Sequence, residues 1–337
     1  MRGTRLFMLA VLAALASSPA LAQAQAPARN PNQGQGQPLS PERKADTEAL
    51  RALTKEVPVL PTDRIELKAN PPMTLVGYSA AAADKQGNVY VVHRPEDPNV
   101  DPVVVLDPKG NLLRSWGKGM YKIPHGIRVD PAGNVWTVDA NTSMVVKYTP
   151  EGKKLLEISV GEIPDPARAF CGATDVAFAQ NGNVFVSDGY CNGRVIEYAA
   201  DGKKLRQFGK RGTGPGEFNN AHDIAIGPDG TLYVADRENG RLQWFTPDGK
   251  YLGEKKFGGQ LFSVAVSATG DLYVGTQPRG VPFGTDANIM KFDPKSGKIL
   301  GRVEAAAHQL SVGADGTLLP GTRVDKANSV LLIRPRK

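Results

Sequence analysis

The chain has 337 residues, 41% of them hydrophobic, and its 41 Lys and Arg against 34 Asp and Glu give a formal net charge of +7. The basic residues are scattered among the acids and no basic block is interleaved with aromatics, which argues against nucleic acid as a partner. Past the N-terminus no segment approaches the ~20 apolar residues that a membrane-spanning helix needs, so stable membrane insertion is not expected.

Residues 1–22 carry Arg2 and Arg5, then the apolar run Leu6 to Ala16, then the small-residue pattern Ala20-Leu21-Ala22 before Gln23. That order reads as a signal peptide and predicts a secreted or periplasmic protein. Export makes a disulfide the default state of Cys171 and Cys191, because oxidising compartments preserve such bonds. Residues 23–55 begin with a tract rich in Gln, Pro, Gly and Asn that offers almost no large apolar side chain, so this segment is expected to be a flexible linker.

From residue 56 to 337 the chain repeats. A short apolar strand, a Gly-containing turn and a second apolar strand recur, with turn glycines at Gly87, Gly133, Gly182, Gly230, Gly270 and Gly316. The spacings of 46, 49, 48, 40 and 46 residues each hold four short strands. Six such units predict an all-β, six-bladed β-propeller with four-stranded antiparallel blades. The last unit shows three strands before the chain ends, so a strand near Asp63 to Ala69 is expected to close the ring.

Counted eight residues back from each turn glycine, the aligned residues are Ser79, His125, Thr174, His222, Phe262 and His308. Three of the chain's 4 histidines thus share one structural position, in units two, four and six, about a third of a turn apart. Three neutral imidazoles converging on the axis are the usual protein share of a catalytic zinc site, although another divalent metal suits them too. The competing reading is three histidines that cap inner strands by hydrogen bonding.

Six to eight residues after the glycine the chain returns to the same mouth of the ring. That places His93 and Arg94, Asp188 and Tyr190, and Asp236 and Arg237 on the rim with the histidines. Asp139, Asp188 and Asp236 recur at one position, as expected of carboxylates that bind turn amides. Cys171 and Cys191 flank the inner strands of unit three at this mouth, where a bridge would close a loop of about 20 residues, contribute ~3 kcal/mol and hold Tyr190 in place. Arg237 is placed beside Tyr190, where a cation favours the phenolate, and Arg94 is placed to hold a substrate carboxylate.

The stretches "PHGI", "CGATDVAF", "VFVSDGYCNGRV", "AHDIAI" and "YVADRENGRLQWF" resemble the NHL-type propellers and, among them, the peptidyl-alpha-hydroxyglycine alpha-amidating lyases. The resemblance implies zinc on His125, His222 and His308, a catalytic Tyr190, active-site Arg94 and Arg237, and a Cys171–Cys191 disulfide. It implies cleavage of an N-acyl alpha-hydroxyglycine, a small molecule or peptide, to an amide and glyoxylate. A separate monooxygenase is the implied partner, since the family's copper monooxygenase domain is absent from this chain. The family's Met-Pro-His-Asp context reads Ala306-Ala307-His308-Gln309 here. Without the aspartate the resemblance does not carry its structural calcium over. The rival expectation is a non-catalytic propeller that binds peptides, glycans or a protein; a calcium lactonase is disfavoured by the histidine set.

Overall fold

The computed structural model describes residues 38–161, 163–323 and 325–336; the expected signal peptide lies outside them. Six four-stranded antiparallel sheets account for 24 of its strands, and the innermost strands of consecutive blades touch around the whole ring. The expected all-β propeller is therefore the fold. Blade one opens with Ala80–Ala83, blade two with Pro124–Val129, blade three with Asp175–Phe178, blade four with Ala221–Ile226 and blade five with Gln260–Val266. Blade six runs from Leu310–Val312 through Leu318–Pro320 and Ser329–Pro335, and its outer strand is Thr62–Lys68. Seven residue pairs, from Thr62 with Pro335 to Lys68 with Ser329, zip the ring shut.

Local chemistry explains the blades. Each repeat turn places its glycine at a φ between +83° and +90°, a conformation that costs a side-chain-bearing residue energy and glycine almost none. The strands that follow are β-branched and aromatic, as in Val89–Val92 (VYVV) and Val184–Asp188 (VFVSD), and buried on both faces. The core is accordingly divided into six clusters, each between two neighbouring blades. Between blades two and three lie Trp136, Val138, Val145, Val176, Val186 and Ile196; between blades four and five lie Leu242, Val264, Val274, Met290 and Phe292. Each such side chain contributes about 1.5–3 kcal/mol through burial, so every blade is stabilised only by having both neighbours.

One expectation needs correction. Residues 41–55, which were assigned to the flexible linker, belong to the α-helix Pro41–Glu56. Its start is encoded locally: Ser40 Oγ accepts from Arg43 N at 3.3 Å and Pro41 occupies the first turn. Its anchor is Leu50, buried against Phe257, Leu261 and Phe292. Gly258 and Gly259 make the seat, since a Cβ on Gly258 would stand 2.4 Å from the Asp46 carbonyl and one on Gly259 2.6 Å from Leu50 Cδ2. Among the described residues no helix is long and apolar enough to cross a membrane.

Candidate metal centre and active site

At one mouth of the ring the imidazoles of His125, His222 and His308 meet. Their ring centroids are 4.7–5.1 Å apart, one ligand nitrogen from each lies within 4.8 Å of the others, and all three are at most 1% exposed. Each Nδ1 faces a backbone carbonyl: Thr174 O at 2.7 Å for His125, Phe262 O at 2.7 Å for His222 and Ser79 O at 3.1 Å for His308. Only a protonated Nδ1 can make those bonds, which leaves each Nε2 as a lone-pair donor. Burial is the first cause holding all three well below the usual histidine range; Arg237 adds to it at His222, and the neighbouring imidazoles add to it at His308. Neutral, oriented and convergent imidazoles are what a divalent metal requires.

The carbonyl donors complete the numerical pattern of the sequence. Thr174, Phe262 and Ser79 occupy in blades three, five and one the position that the histidines occupy in blades two, four and six. Each histidine is held by the same position of the next blade around the ring. Side chains brace the set: Ser79 Oγ donates to His125 O at 2.8 Å and Thr174 Oγ1 to Ala221 O at 2.7 Å. Gln309 Nε2 donates to Thr174 O at 2.8 Å. It also lies 3.3 Å from His125 Nδ1, but both atoms are donors when Nδ1 serves the carbonyl, so the Thr174 bond is the real one.

Tyr190 Oη lies 2.9 Å from His125 Nε2 and 3.3 Å from His222 Nε2. The Cys171–Cys191 disulfide, with Cα atoms 4.8 Å apart, ties the loop after the second strand of blade three to the segment before its first. Gly189 packs so closely on Ala221 that a Cβ there would come within 2.1 Å of its carbonyl oxygen. Tyr190 is thereby fixed on both sides. Arg237 stacks over its ring at 5.6 Å and over Phe262 at 5.3 Å. Its Nε donates to Glu238 at 2.8 Å, and Arg279 reaches the other carboxylate oxygen at 2.7 Å. Burial works against charge on Glu238, yet Arg237 and Arg279 hold its carboxyl down at about 2.

Arg94, from blade one, donates through Nε to Pro124 O at 2.9 Å and stacks over Phe170 at 5.5 Å. Its buried Nη2 has no protein partner among the described residues, and burial followed by repulsion from Arg323 lowers the guanidinium to about 10. A buried donor of this kind is costly unless an anion completes it. His93, also on the rim, is spent structurally, accepting from Val76 N and contacting Asp101 O. Asp139 accepts from the amides of Lys122, Ile123, Asn141 and Thr142, as expected.

Above the histidines is a small cavity of about 140 Å³ lined by Phe170, Tyr190, Arg237, Phe262, Phe283 and Arg323. Arg323 and the phenylalanines were not anticipated. A signal for Arg323 was present: it stands seven residues after Gly316, as Arg94 does after Gly87 and Arg237 after Gly230. Its guanidinium lies 5.5 Å over the Phe283 ring.

The NHL repeat matches residues 218–245, which span the inner strands of blade four. The mouse peptidyl-glycine alpha-amidating monooxygenase is 35% identical over 221 residues, covering 56% of this chain and 23% of the mouse protein. The Drosophila melanogaster peptidyl-alpha-hydroxyglycine alpha-amidating lyase 1 is 31% identical over 239 residues, 59% of this chain and 44% of that protein. The chain thus spans less than half the length of these relatives. A solved streptogramin B lyase superimposes with a TM-score of 0.56 at 14% identity, covering 82% of this chain and 98% of that one, a likeness of fold alone. With its blades, its repeat and these relatives together, the chain is a six-bladed β-propeller that carries an NHL repeat at residues 218–245 and resembles the peptidyl-alpha-hydroxyglycine alpha-amidating lyases.

Proposed function

We propose that this protein is an exported, zinc-dependent carbon–nitrogen lyase that cleaves an N-acyl alpha-hydroxyglycine to an amide and glyoxylate. The observation that carries the reading is the placement of Tyr190 Oη 2.9 and 3.3 Å from the Nε2 atoms of two convergent, neutral histidines, with the Arg237 guanidinium against its ring. The names of the relatives agree with it.

His125, His222 and His308 would hold zinc, which when bound supplies Lewis acidity to the substrate's oxygens. Arg94 binds the substrate carboxylate through its unpartnered Nη2. Tyr190, with the Arg237 guanidinium over its ring, serves as the general base that takes the proton of the alpha-hydroxyl. The O–H electron pair becomes the carbonyl of glyoxylate while the carbon–nitrogen bond breaks and its pair stays on nitrogen. Tyr190 then returns the proton to that nitrogen, so no other reactant is consumed. The alpha-hydroxyl is installed beforehand by a separate monooxygenase.

The test is glyoxylate release from a short peptide ending in alpha-hydroxyglycine. Release that a chelator stops and added zinc restores is the expected result. Zinc-loaded protein that binds the peptide without releasing glyoxylate would replace the enzyme with a peptide-binding propeller.

A further inference from the structure

Directly below the histidines, on the propeller axis, one guanidinium ties four blades together. Arg128 lies three residues after His125 in the innermost strand of blade two. Its Nε donates to Asp175 Oδ1 at 3.0 Å and its Nη2 to Asp175 Oδ2 at 2.5 Å, both on blade three. Nη2 also reaches Asp223 Oδ1 of blade four at 2.6 Å. Nη1 donates to Leu310 O at 2.5 Å and Ser311 Oγ at 2.7 Å, both on blade six. The two carboxylates are fully buried and the Arg128 side chain is 13% exposed, at the floor of a funnel of about 710 Å³ that opens at the opposite mouth.

The partners are not arbitrary. Asp223 follows His222, Leu310 comes two residues after His308, and Asp175 follows Thr174, whose carbonyl holds His125. Each arm of the fork therefore ends within three residues of a histidine or its carbonyl. The carboxylates extend the web, Asp223 Oδ2 accepting from Leu310 N and Asp175 Oδ2 from Ile224 N, each at 3.4 Å. A planar fork with several fixed donors sets the separation of all the strands it bridges, which a flexible ammonium cannot do.

We propose that Arg128 is a positioning residue for the metal centre, the strut that sets the spacing of the strands bearing His125, His222 and His308. This rests on the reading of those histidines as metal ligands. Groups that hydrogen-bond metal ligands directly typically carry about 10–100-fold in metal affinity, and Arg128 acts on the histidines through the strands that carry them.

The test uses Arg128→Met and Arg128→Lys in the purified protein, with Arg302→Met as control. Arg302 pairs with Glu304 and Asn288 at 2.7 and 3.0 Å at the outer edge of blade five. Zinc dissociation constants, visible spectra of the cobalt(II) forms and melting of the metal-free proteins are measured together. Arg128→Met should weaken zinc about 10–100-fold and shift the cobalt bands, Arg128→Lys should do so less, and Arg302→Met should leave both metal readouts unchanged. A folded Arg128→Met protein with wild-type zinc affinity and spectrum overturns the role. If that variant does not fold, wild-type affinity in Arg128→Lys overturns it equally. Failure of the wild-type protein to take up zinc or cobalt would defeat the metal reading and this role together, an outcome distinct from either variant result.

Discussion

Even and odd blades use one structural position in two ways. In blades two, four and six it carries an imidazole that points to the axis; in blades three, five and one it offers the main-chain carbonyl that orients the preceding imidazole. The ring is six-fold in shape and three-fold in chemistry. Side-chain identity is consequently decisive for the histidine set at even positions, whereas at odd positions the backbone carbonyl orients it.

The sharpest break of that comparison is His222→Ala, which should abolish stoichiometric metal and reduce glyoxylate release to background, while Phe262→Leu at the adjoining odd position keeps the metal; metal analysis and turnover measure both. Next in size, Tyr190→Phe should lower kcat by about 10²–10⁴ with zinc content unchanged, and retained turnover would remove Tyr190 from the chemistry. Arg94→Met should raise KM about tenfold or more with a smaller change in kcat, since it deletes one charge-assisted carboxylate contact; a selective fall in kcat would instead place Arg94 at the reacting bond.

Acid should expose the electrostatics of the rim. Glu238 has its folded value depressed to about 2 from an ordinary 4.5, so its stabilisation is complete above pH ~4.5 and is lost as pH falls toward 2. The three histidines are also depressed, so metal-free protein should begin to lose stability below pH ~6.5. Denaturation of the metal-free protein from pH 7 to 2 should show the histidine-linked fall below pH ~6.5 in both wild type and Glu238→Gln, with the variant flatter below pH ~4.5. Smallest of all, Ser79→Ala removes the brace to His125 O and the longer contact to Pro124 O and should cost about 1 kcal/mol in melting experiments while leaving zinc in place.

The turn glycines made the blades legible in the sequence because they recur where the backbone needs positive φ, and the same ruler aligned the three histidines. The carbonyl partners left no trace, because any residue offers a carbonyl; only the alignment of Ser79, Thr174 and Phe262 with the histidines hinted at them. Arg128 was hidden for a different reason, since a single arginine in a strand looks like a surface residue until the ring closes around it. The helix Pro41–Glu56 was missed because it follows a polar tract and buries only Thr47 and Leu50.

The pairing of Thr62–Lys68 with Ser329–Pro335 also has a kinetic meaning. It joins strands that lie at the two ends of the described residues, Thr62 with Pro335 at one end of the pairing and Lys68 with Ser329 at the other, the strand pairing with the largest loop-closure cost among the described residues. His308 lies in the blade that this pairing completes, so the third histidine reaches its place only when the ring shuts. Zinc uptake should therefore trail the appearance of sheet during refolding, and a metal-sensitive dye would time the closure of the propeller.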